Sequence, residues 1–543
     1  MVDATRAVSW LVVTAGLLLA FASCTTSADG PAGRSGATPA GSLTSAQAPS
    51  WTRADLDFFL HGSMSAEMVP ERVLIAFIRA YPDLFPKHDL SHFGLLPDRG
   101  FGWPLGVSRK RVPHLGGLSA VGVNCAACHL GEVVGSTGEH VQVLGMTSHF
   151  DAEAFFNAVI VATFRTAEPA AMKRFLHAYL AAVDLPPGEG AHRALANRWQ
   201  QQEQAVTAAI TADPPASKGI APGALHEIAA ADLEMEATGV EAGQDLVPLV
   251  RAMLKLFHNV RAALHIPDVP PAALPPASGP GRNDAFGLLA AALLGSPQPY
   301  APVKFGLVWN LDTRRWVHWD GNTQSPIGRN LLASLGLGAP LLGREGRLDF
   351  AAVQRQTDLS ETIRAPRYPF AIDESAARRG EPSYRAHCGA CHDGPETDAR
   401  LRSPEQVGTD PGRARAFKPP EADGFNRLLA ELQAPGYRAS PTPGIRSTQK
   451  YWTPSLAGVW ARSPYLHNGS VRTMRELLTA PADRATSFRR GSPRYDEAAM
   501  GYADEGPYVL DTRTPGNGNM GHAYGAGLSA GERRDLIEFL KTL

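Results

Sequence analysis

Two stretches of this chain carry the residue types and spacing of one covalent chemistry: Cys125-Ala126-Ala127-Cys128-His129 and Cys388-Gly389-Ala390-Cys391-His392. In Cys-x-x-Cys-His the two thiols add to the vinyl groups of one haem and the imidazole binds its iron from beneath. With five Cys and seventeen His among 543 residues, chance supplies the pattern in roughly one chain in 700 of this composition. Here it occurs twice. Paired Cys-x-x-Cys units could instead close a four-thiolate zinc site, but a His after each second cysteine argues against that. The reading is two covalently bound haem c, one on Cys125, Cys128 and His129, the other on Cys388, Cys391 and His392.

The chain is long enough for two or three cores, and 44% hydrophobic with 19% charged residues is ordinary for a globular protein. A formal net charge of −1 without Lys/Arg runs gives no case for nucleic acid or an anionic membrane surface. The fifth cysteine, Cys24, ends a stretch that reads as an export signal over residues 1–24: Arg6, the apolar run Val8–Ala22, then Ala22-Ser23-Cys24. The junction resembles a bacterial lipobox, with Phe21 where Leu is usual, which predicts a lipid anchor at Cys24; a signal peptide cleaved nearby is the alternative. Either route takes the chain to the periplasm or cell surface. Residues 25–50, rich in Ser, Thr, Ala, Gly and Pro, read as a flexible tether.

The elements that position the motifs follow from periodicity. Residues 51–151 form an N-terminal haem region opening with two helices (Leu56, Phe59, Leu60; then Val73, Leu74, Phe77, Ile78), with Gly100–Gly117 as irregular backbone before the first motif. Residues 152–280 read as a cysteine-free helical insertion closed by a Pro-rich linker; its histidines, His177, His192, His226, His258 and His265, are read as surface or capping residues. Residues 281–375 hold Trp309, Trp316, His318 and Trp319, read either as a buried aromatic cluster or as an electron relay beside a distal pocket. Residues 376–543 read as a C-terminal cytochrome c domain: a helix into Cys388, Pro- and Arg-rich loop over 393–450, and a terminal helix capped by Ser529 and Glu532. The predicted fold class is mainly α, with two cytochrome c-like haem domains, long ordered loops and the helical insertion.

The paired haem motifs, Trp319-Asp320-Gly321 between them and Pro464–Gly469 after the second resemble the bacterial di-haem cytochrome c peroxidase superfamily. Within it the sequence looks most like the di-haem rubber oxygenases, on Gly122–His129, Trp319–Thr323 with Arg329-Asn330, Ser470, and Gly518–His522. The resemblance implies His129 and His392 as proximal iron ligands, Trp319 as the relay between the haems and His318 near the distal pocket. It also implies His522 as second ligand of the second haem with Met520 as rival, and His467 close to the haems. Many superfamily members hold a calcium between the haems, for which these residues establish no site. Where peroxidases place acidic distal groups, Asn322–Asn330 offers no carboxylate, which weakens a peroxide-cleaving reading because that step benefits from a positioned acid/base. The functional expectation is an exported oxidoreductase whose first haem activates dioxygen or hydrogen peroxide and whose second passes electrons, cleaving a hydrophobic polyene such as polyisoprene. The alternatives are a hydrogen peroxide-reducing peroxidase served by a small redox protein, and a non-catalytic electron carrier.

Overall fold

The computed structural model describes residues 46–98, 100–112, 119–166, 278–296, 298–324, 326–337, 348–432 and 444–543, with isolated positions between 171 and 208. Cys24, the export signal, most of the tether and most of the insertion with its five histidines lie outside the described residues. The end of the presumed tether is packed rather than free: Gln47 is buried and bridges Leu144 and Arg364 through its side-chain amide.

Thr52 and Asp55 form a capping box that starts helix α1 (Arg53–His61). Helix α2 (Glu71–Ala80) buries Val73, Leu74, Phe77 and Ile78, at the three- and four-residue spacing of one helical face. Three short strands, β1 (Val69–Pro70), β2 (Val107–Arg111) and β3 (Ser119–Val123), pair antiparallel in the order β1-β3-β2, with Val69 opposite and Arg109 opposite Val121. The stretch read as irregular backbone thus contains a strand. Helix α3 (Cys125–His129) runs directly into β4 (Leu130–Val134), which pairs with β5 (His140–Leu144). The first Cys-x-x-Cys-His therefore sits between two small sheets.

That corrects the mainly-α prediction: 43% of the described residues are helical and several small sheets carry the rest of the regular backbone. Strands of two to five residues are too short to leave a readable alternation in sequence, and their pairing partners are set by distant chain.

Helices α4 (Ala152–Thr166), α5 (Ala285–Leu294), α6 (Pro326–Gly336) and α7 (Phe350–Thr362) follow. Leu289 of α5, Leu331, Leu332 and Leu335 of α6, and Val353 of α7 share a core with Phe417 and Phe425. The 393–450 stretch is not simply loop. It holds helices at Pro404–Val407, Gly412–Ala416 and α9 (Pro419–Glu431). Pro404 and Pro419 occupy first helical positions, where the missing N–H costs nothing, so the residues that read as breakers are starters.

Helix α8 (Glu374–Tyr384) leads into the second motif and packs across the terminal helix α10 (Ala530–Lys541). Their contact is close because Gly380 has no side chain: a Cβ there would lie 2.1 Å from the Asp535 carbonyl oxygen. Arg379 and Asp535 pair beside it at 2.8 Å. Gly380→Val is expected to lower stability by about 1–3 kcal/mol through overpacking at the crossing. Gly527→Ala, with nothing within 4 Å of the added atom, is expected to be near neutral. Thermal denaturation followed by circular dichroism compares the two.

Candidate haem-attachment sites

At the first motif several backbone groups are held by neighbouring segments. Asn124 caps α3, its Oδ1 accepting the Ala126 N–H at 3.0 Å, while its Nδ2 donates to the Phe59 and Gly62 carbonyls of α1. Gly106, at φ +89°, lets the β2 approach pass where a Cβ would meet the Ala127 nitrogen at 2.3 Å. The N–H groups of Gly145 and Ser148 donate to the carbonyls of His129 and Cys128. Cys125 and Cys128 are free thiols, and burial pushes them up to about 11 and about 12 respectively. His129 is held down to about 4, first by burial and then by the Arg329 charge.

Cys125, Cys128, His129, His318 and His522 lie deep in the protein yet keep part of their surface uncovered. His318, at φ +71°, has its Nδ1 2.8 Å from Asn322 Oδ1 and 3.2 Å from Thr323 Oγ1. Burial, reinforced by Arg329 and Arg413, pushes His318 down to about 3. Among the described residues the ring beside His129 is Phe305, centroids 6.4 Å apart.

At the second motif, Cys388 lies in a π-helical turn (Arg385–Gly389) continuing α8. His392 Nδ1 lies 2.7 Å from the Pro454 carbonyl, so the proton belongs on Nδ1 and Nε2 keeps its lone pair free. The ring of His522 faces it, centroids 6.3 Å apart at 56°. With metal–imidazole bonds of about 2.0–2.1 Å and ring centres roughly 1.1 Å behind the nitrogen, two imidazoles on one metal have centroids about 6.2–6.4 Å apart. Burial lowers both histidines from their ordinary value, His522 to about 4, so both are neutral and able to bind a metal at neutral pH. Met520 points away, 54% exposed. These donors suit haem c at both motifs: free thiols and neutral imidazoles that protein atoms only partly cover. Among the described residues no cluster of three or more His, Cys, Asp or Glu could hold a further metal ion such as calcium.

The Trp319-Asp320-Gly321 turn is fixed by a buried pair, Asp320 with Arg413 at 2.9 Å, while Gly321 makes room for the Trp452 ring. Trp319 Nε1 donates to the Lys304 carbonyl at 3.0 Å, and its own carbonyl accepts the Trp452 N–H at 2.8 Å. Lys304 precedes Phe305, the neighbour of His129; Trp452 stands two residues before Pro454, the partner of His392. A route of one hydrogen bond on each side of Trp319 therefore connects the two motif regions. His467 is buried against Tyr451, stacked at 4.3 Å with Nε2 3.1 Å from the phenol oxygen. Its neighbours Asn468 and Ser470 hold the carbonyls of Gly516 and Gly518, in the loop that leads to His522.

The residue that sequence reasoning missed here is Arg484. It donates to six main-chain carbonyls, Glu476, Leu477 and Thr479 on one side and Asn519, Gly521 and His522 on the other. One arginine in a loop leaves no periodic or motif signal. Arg400 plays the same part after the second motif, holding the Gly394, Pro395 and Thr453 carbonyls.

Crossing helices, a Cys-x-x-Cys-His between them and a histidine pair at metal-bridging distance define a cytochrome c-like module. Residues 450–489 match the family model described as RoxA-like, cytochrome c-like. The match supports a relation to the rubber oxygenase-like c-type cytochromes, an oxidoreductase family, and a cytochrome c-like domain implies haem c. The chain is also similar to two proteins of Sinorhizobium fredii (strain NBRC 101917 / NGR234). It is 29% identical to the uncharacterized protein y4iM over 324 residues, covering 50% of this chain and 73% of that protein. It is 30% identical to the uncharacterized protein y4iJ over 357 residues, 49% of this chain and 60% of that one.

Arg484→Met is expected to cost roughly 3 kcal/mol or more, because each buried carbonyl left without a donor costs about 1–3 kcal/mol. Arg484→Lys, with fewer donors and no planar fork, should recover part of that loss. Chemical denaturation monitored by tryptophan fluorescence measures both.

Proposed function

We propose that the chain is an exported di-haem c-type cytochrome oxidoreductase with two unlike haem sites, one open for reaction with dioxygen or peroxide and one closed for electron transfer. The observation that carries the reading is the asymmetry of the histidines: His392 faces the imidazole of His522, whereas His129 has Phe305 beside it. Bound at these positions, haem supplies iron that activates oxygen species at an open coordination site and exchanges electrons at a closed one. The protein's own residues do the rest. His129 and His392 would each hold a haem iron, and His522 would hold the second iron together with His392. Burial keeps His318 neutral, while Asn322 and Thr323 fix the orientation of its ring. Trp319 couples the sites through its hydrogen bonds to Lys304 and Trp452.

The favoured reaction is oxidative cleavage of a hydrophobic polyene by dioxygen, supported by the RoxA-like match and by the lack of a carboxylate in Asn322–Asn330. Peroxide reduction with a small redox protein as donor is the second reading, favoured by the two-site arrangement alone. Attachment of haem c outside the cytoplasm and the Ala22-Ser23-Cys24 junction support export with a lipid anchor on Cys24.

A pyridine haemochrome assay combined with intact mass is expected to give two haems per chain; one or none overturns the reading. Electron paramagnetic resonance of the oxidised protein is expected to show one high-spin and one low-spin haem. His522→Ala should remove the low-spin signal and Met520→Leu leave it, whereas the opposite result would assign the ligand to Met520. Trp319→Ala should slow oxidation of one haem after peroxide or oxygen is mixed with the reduced protein, measured by stopped flow, while Trp319→Phe separates loss of coupling from loss of packing. Equal inter-haem rates in wild type and both variants would assign Trp319 to the core.

A further inference from the structure

Beside Trp319 the fold buries positive charge that nothing nearby neutralises. Arg282 is 0% exposed, Lys304 1%, Arg462 5% and Arg490 6%. Among the described residues none of the four has a carboxylate oxygen within 4.0 Å, although nineteen other ion pairs are formed. Arg282 and Lys304 are placed side by side by an antiparallel pair of two-residue strands, 282–283 and 303–304. Arg282 gives one nitrogen to Asn517 Oδ1 at 2.6 Å, but its Nε and Nη1 have no partner. Arg490 Nη1 makes a long bond, 3.4 Å, to the Gly469 carbonyl. The Lys304 ammonium rests on the carbonyls of Arg462 and Pro464.

A buried cation without a counter-charge costs several kcal/mol, and unpaired guanidinium nitrogens add the cost of unmade hydrogen bonds. The acids that face the cluster do not remove it. Asp151, Glu153 and Asp410 act from beyond ion-pair distance, and burial pushes Glu153 up to about 7, where it is only partly ionised at neutral pH. Tyr300, Tyr502 and Tyr508 are uncharged, and His149, His467, Arg413 and Arg462 add no negative charge. The cluster has the chemistry of a carboxylate receptor: two planar forks in a water-poor setting beside a lysine whose proton burial, Arg462 and Arg490 disfavour until an anion arrives.

We infer that Arg282, Lys304 and Arg490 form a binding site for carboxylate groups, occupied by the propionates of haem attached to this chain. This rests on the haem reading above. The placement supports it. Lys304 adjoins Phe305, which packs beside His129; Arg490 neighbours His149, whose preceding residue Ser148 donates to the Cys128 carbonyl; and Asn517, which orients Arg282, stands five residues before His522. The cations are thus linked through their neighbours to both motif regions. A free dicarboxylate or phosphate shares this chemistry, and the test separates the two sources.

Arg282→Gln, Arg490→Gln and Lys304→Met are made in the full haem-loaded protein, with Arg282→Lys and Arg490→Lys as charge-conserving partners. Haem count by pyridine haemochrome is measured first. A wild-type count of zero overturns the haem reading and with it the propionate assignment. With the count intact, spectroelectrochemistry is expected to show a lower reduction potential at one haem or both in the neutral variants, since removing nearby positive charge favours the ferric form. The lysine variants should return toward wild type, and resonance Raman propionate bands should shift with the potentials. Calorimetric titration of dialysed wild type with succinate or inorganic phosphate should show no binding. If those anions bind and Arg282→Gln abolishes binding while potentials and bands stay unchanged, the occupant is a free anion and the propionate assignment falls. Unchanged potentials, bands and titrations in all three neutral variants overturn the site itself.

Discussion

Donation from a few side chains to main-chain carbonyls is the constraint on which the rest of this structure depends. The loops that follow His392 and carry His522 have no helix or strand ladder to satisfy their backbone, and buried carbonyls without donors are costly. Arg484 gathers six of them and so ties the end of the short Met474–Leu477 helix to the His522 loop. Arg400 does the same between the 393–395 turn and Thr453, one residue before the carbonyl that orients His392. Asn124 and Asn468 are smaller versions of the device.

The residues matched by the RoxA-like family model fall on this clamp. The 450–489 stretch contains Pro454, the Pro464–Ser470 loop and Arg484, but neither Cys-x-x-Cys-His. The matched stretch therefore covers residues that orient His392 and enclose Lys304. A fold alone does not name a substrate; the polyene reading draws on the absence of a carboxylate in Asn322–Asn330 as much as on the family match.

Charge is distributed in a way that only makes sense with a ligand in mind. The histidines at the candidate sites are neutral because burial and neighbouring guanidinium groups disfavour a second proton. The same low-polarity interior holds Arg282, Lys304 and Arg490 without ion partners. One environment therefore holds neutral imidazoles and the proposed anion receptor, and Trp319 lies against the receptor, with its ring 5.3 Å from Lys304 Nζ and its indole N–H on the Lys304 carbonyl.

The sequence by itself determined the chemistry that spacing encodes. Cys-x-x-Cys-His specifies its own local geometry, the Ser529 capping box and the apolar face of Leu536 and Leu540 specify the terminal helix, and Val73 to Ile78 specify α2, because each of these signals is contained within a turn or two of chain. The tertiary structure decided what depends on distant partners. The two- to five-residue strands around the first motif, the helices hidden behind Pro404 and Pro419, and the packing of Gln47 were not legible for that reason. Nor were the facing of His522 onto His392, the exposure of Met520 two residues away, the grip of Arg484 and the gathering of buried cations beside Trp319. Each is fixed by contacts between segments tens to hundreds of residues apart, and no local pattern records which carbonyl an arginine will reach.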